Sequence, residues 1–127
     1  MSIKSFDIFT PSEEHGLLRY TARKFAEEQL EKGAYDRDKN EFFDGNLFKK
    51  LGDLGLLAIT ASEEYGGSGM DKTAAVIVHE ELSAVDPGFC LAYLAHSMLC
   101  VNNIAQNGNV SQKKRYIKKL ASGEWIG

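Results

Sequence analysis

The chain has 127 residues, of which 43% are hydrophobic and 26% charged, and carries a net charge of −3. These values exclude a disordered tail and a collagen-like fibre, and a chain of this size buries roughly two-thirds of its unfolded surface, enough for one core without metal or disulfide staples. The acidic balance argues against a dedicated nucleic-acid binder, no unbroken apolar run reaches the ~18 residues of a membrane span, and the opening MSIKSFDIF resembles neither a secretory signal nor an Arg-rich presequence.

Both prolines, Pro11 and Pro87, sit where a helix would begin. Thr10-Pro11-Ser12-Glu13 offers a cap, a first-turn proline and a reciprocal glutamate. Leu18, Ala22, Phe25 and Ala26 then recur at helical spacing to about residue 32, with Gly33 as the stop. Residues 35–41 read as a charged connection. A second helix is expected over 46–54, with Leu47, Leu51 and Leu54 on one stripe and Gly55 closing it. Residues 56–61 form a short apolar run of strand-like or extended character, followed by a glycine-rich loop over 62–70.

Asp71 can cap a third helix over 72–85, and Asp86-Pro87 supplies a cap and first-turn proline for a fourth over 88–106. That helix is apolar nearly all round, so burial from several sides is expected. Cys90 and Cys100 both fall on it; ten residues of helix rise ~15 Å, beyond disulfide reach, so both are expected reduced and buried. Asn109 and Gln112 form a cap-like pair opening a fifth helix that runs to Leu120. About five helices with short connections predict an all-α multi-helix bundle, with residues 1–127 as one domain. Glu124-Trp125-Ile126-Gly127 reads as the start of an apolar strand without a partner, so the chain is expected to be cut from a longer one.

The motifs yield little chemistry. Gly66-Gly67-Ser68-Gly69 before Lys72-Thr73 suggests a phosphate loop, but Asp71 stands where such a loop needs glycine. His79-Glu80-Glu81 resembles the start of a zinc-protease helix, but Ser83 occupies the place of the second histidine, so no metal site is expected. Lys113, Lys114, Arg115, Lys118 and Lys119 form a basic stripe, read as the wet face of a helix whose dry face carries Tyr116, Ile117 and Leu120. No nucleophile has a local elbow or triad signature.

Taken in order, several segments resemble the N-terminal helical domain of the acyl-CoA dehydrogenase family over nearly the whole chain. They are Glu14-His15 with Leu18-Arg19 and Arg23-Lys24-Phe25-Ala26-Glu27-Glu28, then Leu47-Phe48-Lys49-Lys50-Leu51-Gly52 and Leu54-Gly55-Leu56-Leu57. Glu63-Glu64-Tyr65-Gly66-Gly67-Ser68-Gly69, Glu80-Glu81-Leu82-Ser83, Gln112-Lys113-Lys114-Arg115-Tyr116 and Lys119-Leu120-Ala121-Ser122-Gly123-Glu124 complete the set. Tyr93, Ala95-His96-Ser97, Leu99-Cys100, Asn102 and Asn107-Gly108-Asn109 are most similar to the isovaleryl-CoA branch. Leu94 stands where that branch has a pocket-lining glycine, which leaves a short or branched acyl-CoA as the expected substrate.

The resemblance implies an FAD-dependent α,β-dehydrogenation of an acyl-CoA thioester. It places the flavin-binding β-domain and the catalytic glutamate beyond Gly127, with Trp125-Ile126-Gly127 leading into that domain's first strand. The isolated chain is therefore expected to be inactive, with no catalytic or cofactor-binding residue of its own. Cys90, Leu91, Leu94, Ala95 and Met98 are expected to face the acyl chain, and positions 91, 94, 95 and 98 share one face at α-helical spacing. Implied partners are acyl-CoA and an electron-transfer flavoprotein or similar acceptor, in a homotetramer or homodimer, with no nucleic acid or membrane. A cytoplasmic location is expected, or the mitochondrial matrix for a eukaryotic chain. An acyl-CoA oxidase, a flavin monooxygenase on the same scaffold, and a non-enzymatic helical module remain alternatives.

Overall fold

The computed structural model describes residues 7–127, so most of the opening on which the leader reading rests lies outside it. Every regular element among the described residues is helical. Helix α1 (Glu13–Phe25) runs on through a π-helical turn (Ala26–Leu30). Gly33, in the left-handed region at φ 98°, stops it and turns the chain into α2 (Ala34–Lys39). α3 (Gly45–Asp53) follows, and then α4 (Lys72–Ser83). α5 (Pro87–Leu94), a π-helical stretch (Ala95–Asn102) and α6 (Asn103–Asn107) form one continuous rod, and α7 (Val110–Ala121) closes the bundle.

Most of the expected elements are present, with four differences. The cap of α1 is Ser12, whose side chain accepts from the His15 N–H; Pro11 precedes the helix. α2 occupies the stretch read as a connection, and none of its residues is buried, so no apolar period announced it. Its anchor is Arg37, which reaches Asp86 at 2.8 Å and the Leu30 carbonyl. Leu54 is exposed, whereas Leu47 and Leu51 are buried as expected.

The fourth difference is that residues 56–61 form a buried turn in place of an extended run. Leu56, Leu57, Ala58, Ile59 and Ala61 are all buried, so the alternation of a strand is missing. Their carbonyls accept from the glycine loop: Ser68 N–H bonds Ala58 (3.0 Å), Gly69 bonds Ala61 (2.8 Å) and Met70 bonds Ile59 (2.8 Å). The Tyr93 hydroxyl donates to the Leu56 carbonyl at 2.6 Å. A Cβ at Gly67 would overlap the Ala61 carbonyl, which explains a glycine there without any ligand.

One core joins α1, α3, α4 and α5 around Leu30, Phe48, Leu51, Ile77, Leu82 and Tyr93. A second, smaller one joins the rod to α7 through Val101, Ile117 and Leu120. Between α1 and α4 lies a charged cluster. Arg23 grips both oxygens of buried Glu81 at 2.8 and 2.9 Å, and Arg19 donates to Glu81 at 2.8 Å and Glu80 at 3.0 Å. Hydrogen bonding from Arg23, and then from Arg19, outweighs burial and holds the Glu81 carboxyl below the usual range. The α7 cap is a reciprocal pair, with Asn109 accepting from Gln112 N–H and Gln112 from Asn109 N–H, both at 2.9 Å.

The rod, Pro87–Asn107, is 21 residues long with a mean hydropathy of 1.2, so among the described residues one helix is long and apolar enough to cross a bilayer by length and composition, although polar residues interrupt its apolar run. Its Phe89, Cys90, Tyr93 and Val101 side chains are buried in the two cores. Inside the rod His96 is fully buried; its Nε2 lies 3.0 Å from the Leu120 carbonyl, and the Gly127 N–H donates to its Nδ1 at 3.1 Å.

Asp86→Ala removes the α5 cap and leaves Arg37 without its carboxylate, so urea unfolding should show a loss of about 3–5 kcal/mol. A loss below about 1 kcal/mol would mean that the pair is dispensable. Burial lowers the pKa of His96, so the unfolded chain binds a proton more readily than the folded one. Stability is then full above the ordinary histidine value of about 6.5 and falls as the pH drops through it, before Glu81 begins to titrate. His96→Asn should flatten this upper step of a pH–stability curve, leaving the carboxylate step at lower pH.

Candidate functional site

The rod owes its position to Asp86. One carboxylate oxygen accepts from the Phe89 N–H at 2.9 Å, capping α5, and the other pairs with Arg37. Pro87 in the first turn needs no hydrogen-bond acceptor and has its backbone angle preset. Capped in this way, the rod buries Phe89, Cys90, Tyr93, His96 and Ser97 and turns a line of apolar side chains outward. Leu91 is 67% exposed, Leu94 38% and Leu99 66%. The rod is thus buried from several sides, as expected, with one face left outside.

The predicted pocket residues divide between the two faces. Leu91 and Leu94 stand on the outward line, with half-buried Ala95 beside them. Met98 is half-buried and packs against the core. Cys90 is buried, its thiol 3.5 Å from the His79 carbonyl, and burial pushes that thiol above its usual pKa. Leu99 was not among the predicted residues. The reason is the π-helical stretch that starts at Ala95: wider turns carry the outward face from Leu94 to Leu99, where ideal α-helical spacing points to Met98. Cys100 is half-buried, and both thiols are free.

Behind the line, Tyr93 is fully buried with its ring 4.8 Å from that of His79, and burial holds its phenol protonated well above the usual range. The face toward the core thus mixes apolar side chains with the buried Tyr93, His96 and Ser97, and the face away from it exposes Leu91, Leu94 and Leu99. Such a surface can exclude water and align a hydrocarbon, but it offers no acid, base or nucleophile.

The other candidates resolve as structure. The loop N–H groups of 66–70 are taken by Glu63, Ser62, Ala58, Ala61 and Ile59 carbonyls, so none is left to cradle a phosphate. His79 Nδ1 lies 2.7 Å from the Ala75 carbonyl, and among the described residues no three His, Cys, Asp or Glu side chains converge as metal ligands. On α7, Ile117 and Leu120 are buried, Lys113 lies over the Tyr65 ring, and Lys119 lies over Trp125. No sequence signal points to Ser12–His15–Asp71, in which His15 lies 2.6 Å from Ser12 Oγ and 2.9 Å from Asp71 Oδ1. Ser12 caps α1 and Asp71 caps α4, so this imidazole joins two helix caps.

A flavin would need an open place for its pyrophosphate, for which a helix N-terminus is the usual solution. Here Asp44, Asp71 and Asp86 close α3, α4 and α5 with carboxylates, and Ser12 and Asn109 close α1 and α7. Those five helix starts therefore do not fit a pyrophosphate.

Residues 12–124 match the family model described as acyl-CoA dehydrogenase, N-terminal domain. The mitochondrial isovaleryl-CoA dehydrogenase of Bos taurus is 46% identical over 118 residues, which are 91% of this chain and 28% of that protein. A chain in the structure of the electron transferring flavoprotein of Acidaminococcus fermentans superposes with a TM-score of 0.86 at 34% identity, covering 91% of this chain and 30% of that one. Acyl-CoA dehydrogenase complexed with FAD from Bacillus anthracis gives 0.84 at 34% identity, covering 91% and 20%. The chain belongs to the acyl-CoA dehydrogenase family, matching its N-terminal domain.

Proposed function

We propose that the chain forms one wall of the acyl pocket in an FAD-dependent acyl-CoA dehydrogenase, which removes hydrogen from Cα and Cβ of an acyl-CoA thioester. The observation that carries this reading is the outward line of Leu91, Leu94 and Leu99 on a helix whose other side is fixed in the core. Three large apolar side chains exposed on successive turns of an otherwise well-packed rod call for an apolar cover. A hydrocarbon chain laid along them keeps water from the reacting carbons.

In this proposal the residues of the chain bind and orient. Leu91, Leu94 and Leu99 make the wall, Ala95 leaves room between them, and Met98 and Cys90 back it from the core side. FAD supplies the hydride acceptor, and the groups that hold it and take the α-proton are assigned outside residues 7–127. Similarity to the bovine isovaleryl-CoA enzyme supports a short or branched acyl group, and the Acidaminococcus fermentans structure supports an electron-transfer flavoprotein as electron acceptor. A homotetramer or homodimer is proposed for the whole enzyme, in a bacterial cytoplasm or a mitochondrial matrix.

The test is Leu94→Ala in the whole enzyme. Leu94 is partly exposed here, so truncation should cost well under the ~2–5 kcal/mol of a fully buried leucine. Removing its bulk should raise kcat/KM for longer or more branched acyl-CoA over the short straight chain by roughly tenfold. An unchanged ratio across a chain-length series, in a stable variant, would remove Leu94 from the pocket.

A further inference from the structure

His96 and Tyr93 stand three residues apart on the buried side of the rod, and Leu94 and Ala95 of the outward line lie between them in sequence. Tyr93 ties the rod to the Leu56 carbonyl. The two partners of His96 fix its state: the Leu120 carbonyl can only accept, so Nε2 carries the hydrogen, and the Gly127 N–H can only donate, so Nδ1 is bare. The ring is fully buried and meets Phe48 of α3 edge-on, with centroids 5.4 Å apart at 82°. One side chain thus joins the rod to α3, to the last turn of α7 and to the segment after it.

Trp125, Ile126 and Gly127 are exposed, yet the segment is held at both ends. Trp125 N–H donates to the Lys119 carbonyl at 3.1 Å, Lys119 lies over the Trp125 ring, and a Cβ at Gly127 would overlap Cys100 Sγ on the rod. Apolar packing around Val101, Ile117 and Leu120 is non-directional and tolerates small rotations of a helix. Two hydrogen bonds to a ring that cannot reorient do not, because a shift would strand buried polar groups.

We propose that His96 is a positioning residue for the acyl wall, holding the outward line of the rod in fixed register with residues 125–127 through its two ring nitrogens. The proposal rests on the wall reading above. It assigns to the imidazole the task of keeping Leu91, Leu94 and Ala95 in place relative to the chain that leaves α7.

The experiment separates the two nitrogens. In His96→Asn the side-chain oxygen can replace Nδ1 and keep the Gly127 bond; in His96→Gln the amide nitrogen can replace Nε2 and keep only the Leu120 bond. Trp125 is the sole tryptophan of these 127 residues, so in this chain its emission reports the segment directly. Acrylamide quenching of Trp125 should rise about twofold in His96→Gln and stay near wild type in His96→Asn. In the whole enzyme, His96→Gln should lower kcat roughly tenfold with KM nearly unchanged, and His96→Asn should restore most of it. Equal behaviour of the two variants in both assays would overturn the proposal. Should His96→Gln fail to fold, hydrogen exchange of the wild-type chain decides. Gly127 N–H protected about tenfold or more over an unstructured amide supports the tether, and an unprotected one overturns it. A wild-type enzyme that oxidises no acyl-CoA would defeat the wall reading alone, leaving quenching and exchange to judge the tether.

Discussion

Asp86 has two oxygens and uses each for a different element. One stops the orphan N–H groups at the start of α5 from going unpaired, and the other draws in Arg37, whose guanidinium also reaches the end of the π turn after α1. With Asp86 and Arg37 both largely buried, the pair survives only because its geometry is good and its remaining hydrogen bonds are made. The consequence is directional. Fixing the first turn of the rod determines which side chains of the next four turns face the core, and so which leucines are left outside.

The same economy of buried polar groups runs through the rest of the bundle. The glycine loop turns its N–H groups inward because the carbonyls of the buried turn at 56–61 would otherwise have no donors. Glu81 is tolerated between α1 and α4 because two arginines take up its lone pairs. Features that look chemical in isolation, a glycine-rich loop, paired glutamates and a Ser–His–Asp relay, each satisfy a backbone or close a helix end. Among the described residues the buried His79 Nε2 and Ser97 Oγ lack partners, and exposed apolar side chains include Leu17, Tyr20, Leu54 and Val76 as well as Leu91, Leu94 and Leu99 of the rod.

Much of this was legible in the sequence because local chemistry announces itself. Asp71, Asp86 and Asn109 cap the helices they were expected to cap, and Gly33 and Gly55 stop helices with left-handed backbone. α2 was not legible, since a six-residue helix held by one arginine has no apolar period to display. The turn at 56–61 was misread because a continuous apolar run fits a strand or any buried segment equally well. On the rod, Leu91 and Leu94 both face outward, but the outward turn of Leu99 depends on the helix widening at Ala95. Backbone hydrogen-bond registers of that kind leave no mark in residue pattern. Exposure was also hidden, because an all-round apolar helix looks the same whether its last face meets protein, ligand or solvent.

The most direct test of the central claim is a crystal structure of the whole enzyme with a short acyl-CoA bound. The account predicts acyl carbons within about 4 Å of Leu94 and of at least one of Leu91 and Leu99, with His96 still bonded to Leu120 and Gly127. An acyl chain bound elsewhere, with the outward line covered by other protein side chains, would contradict it.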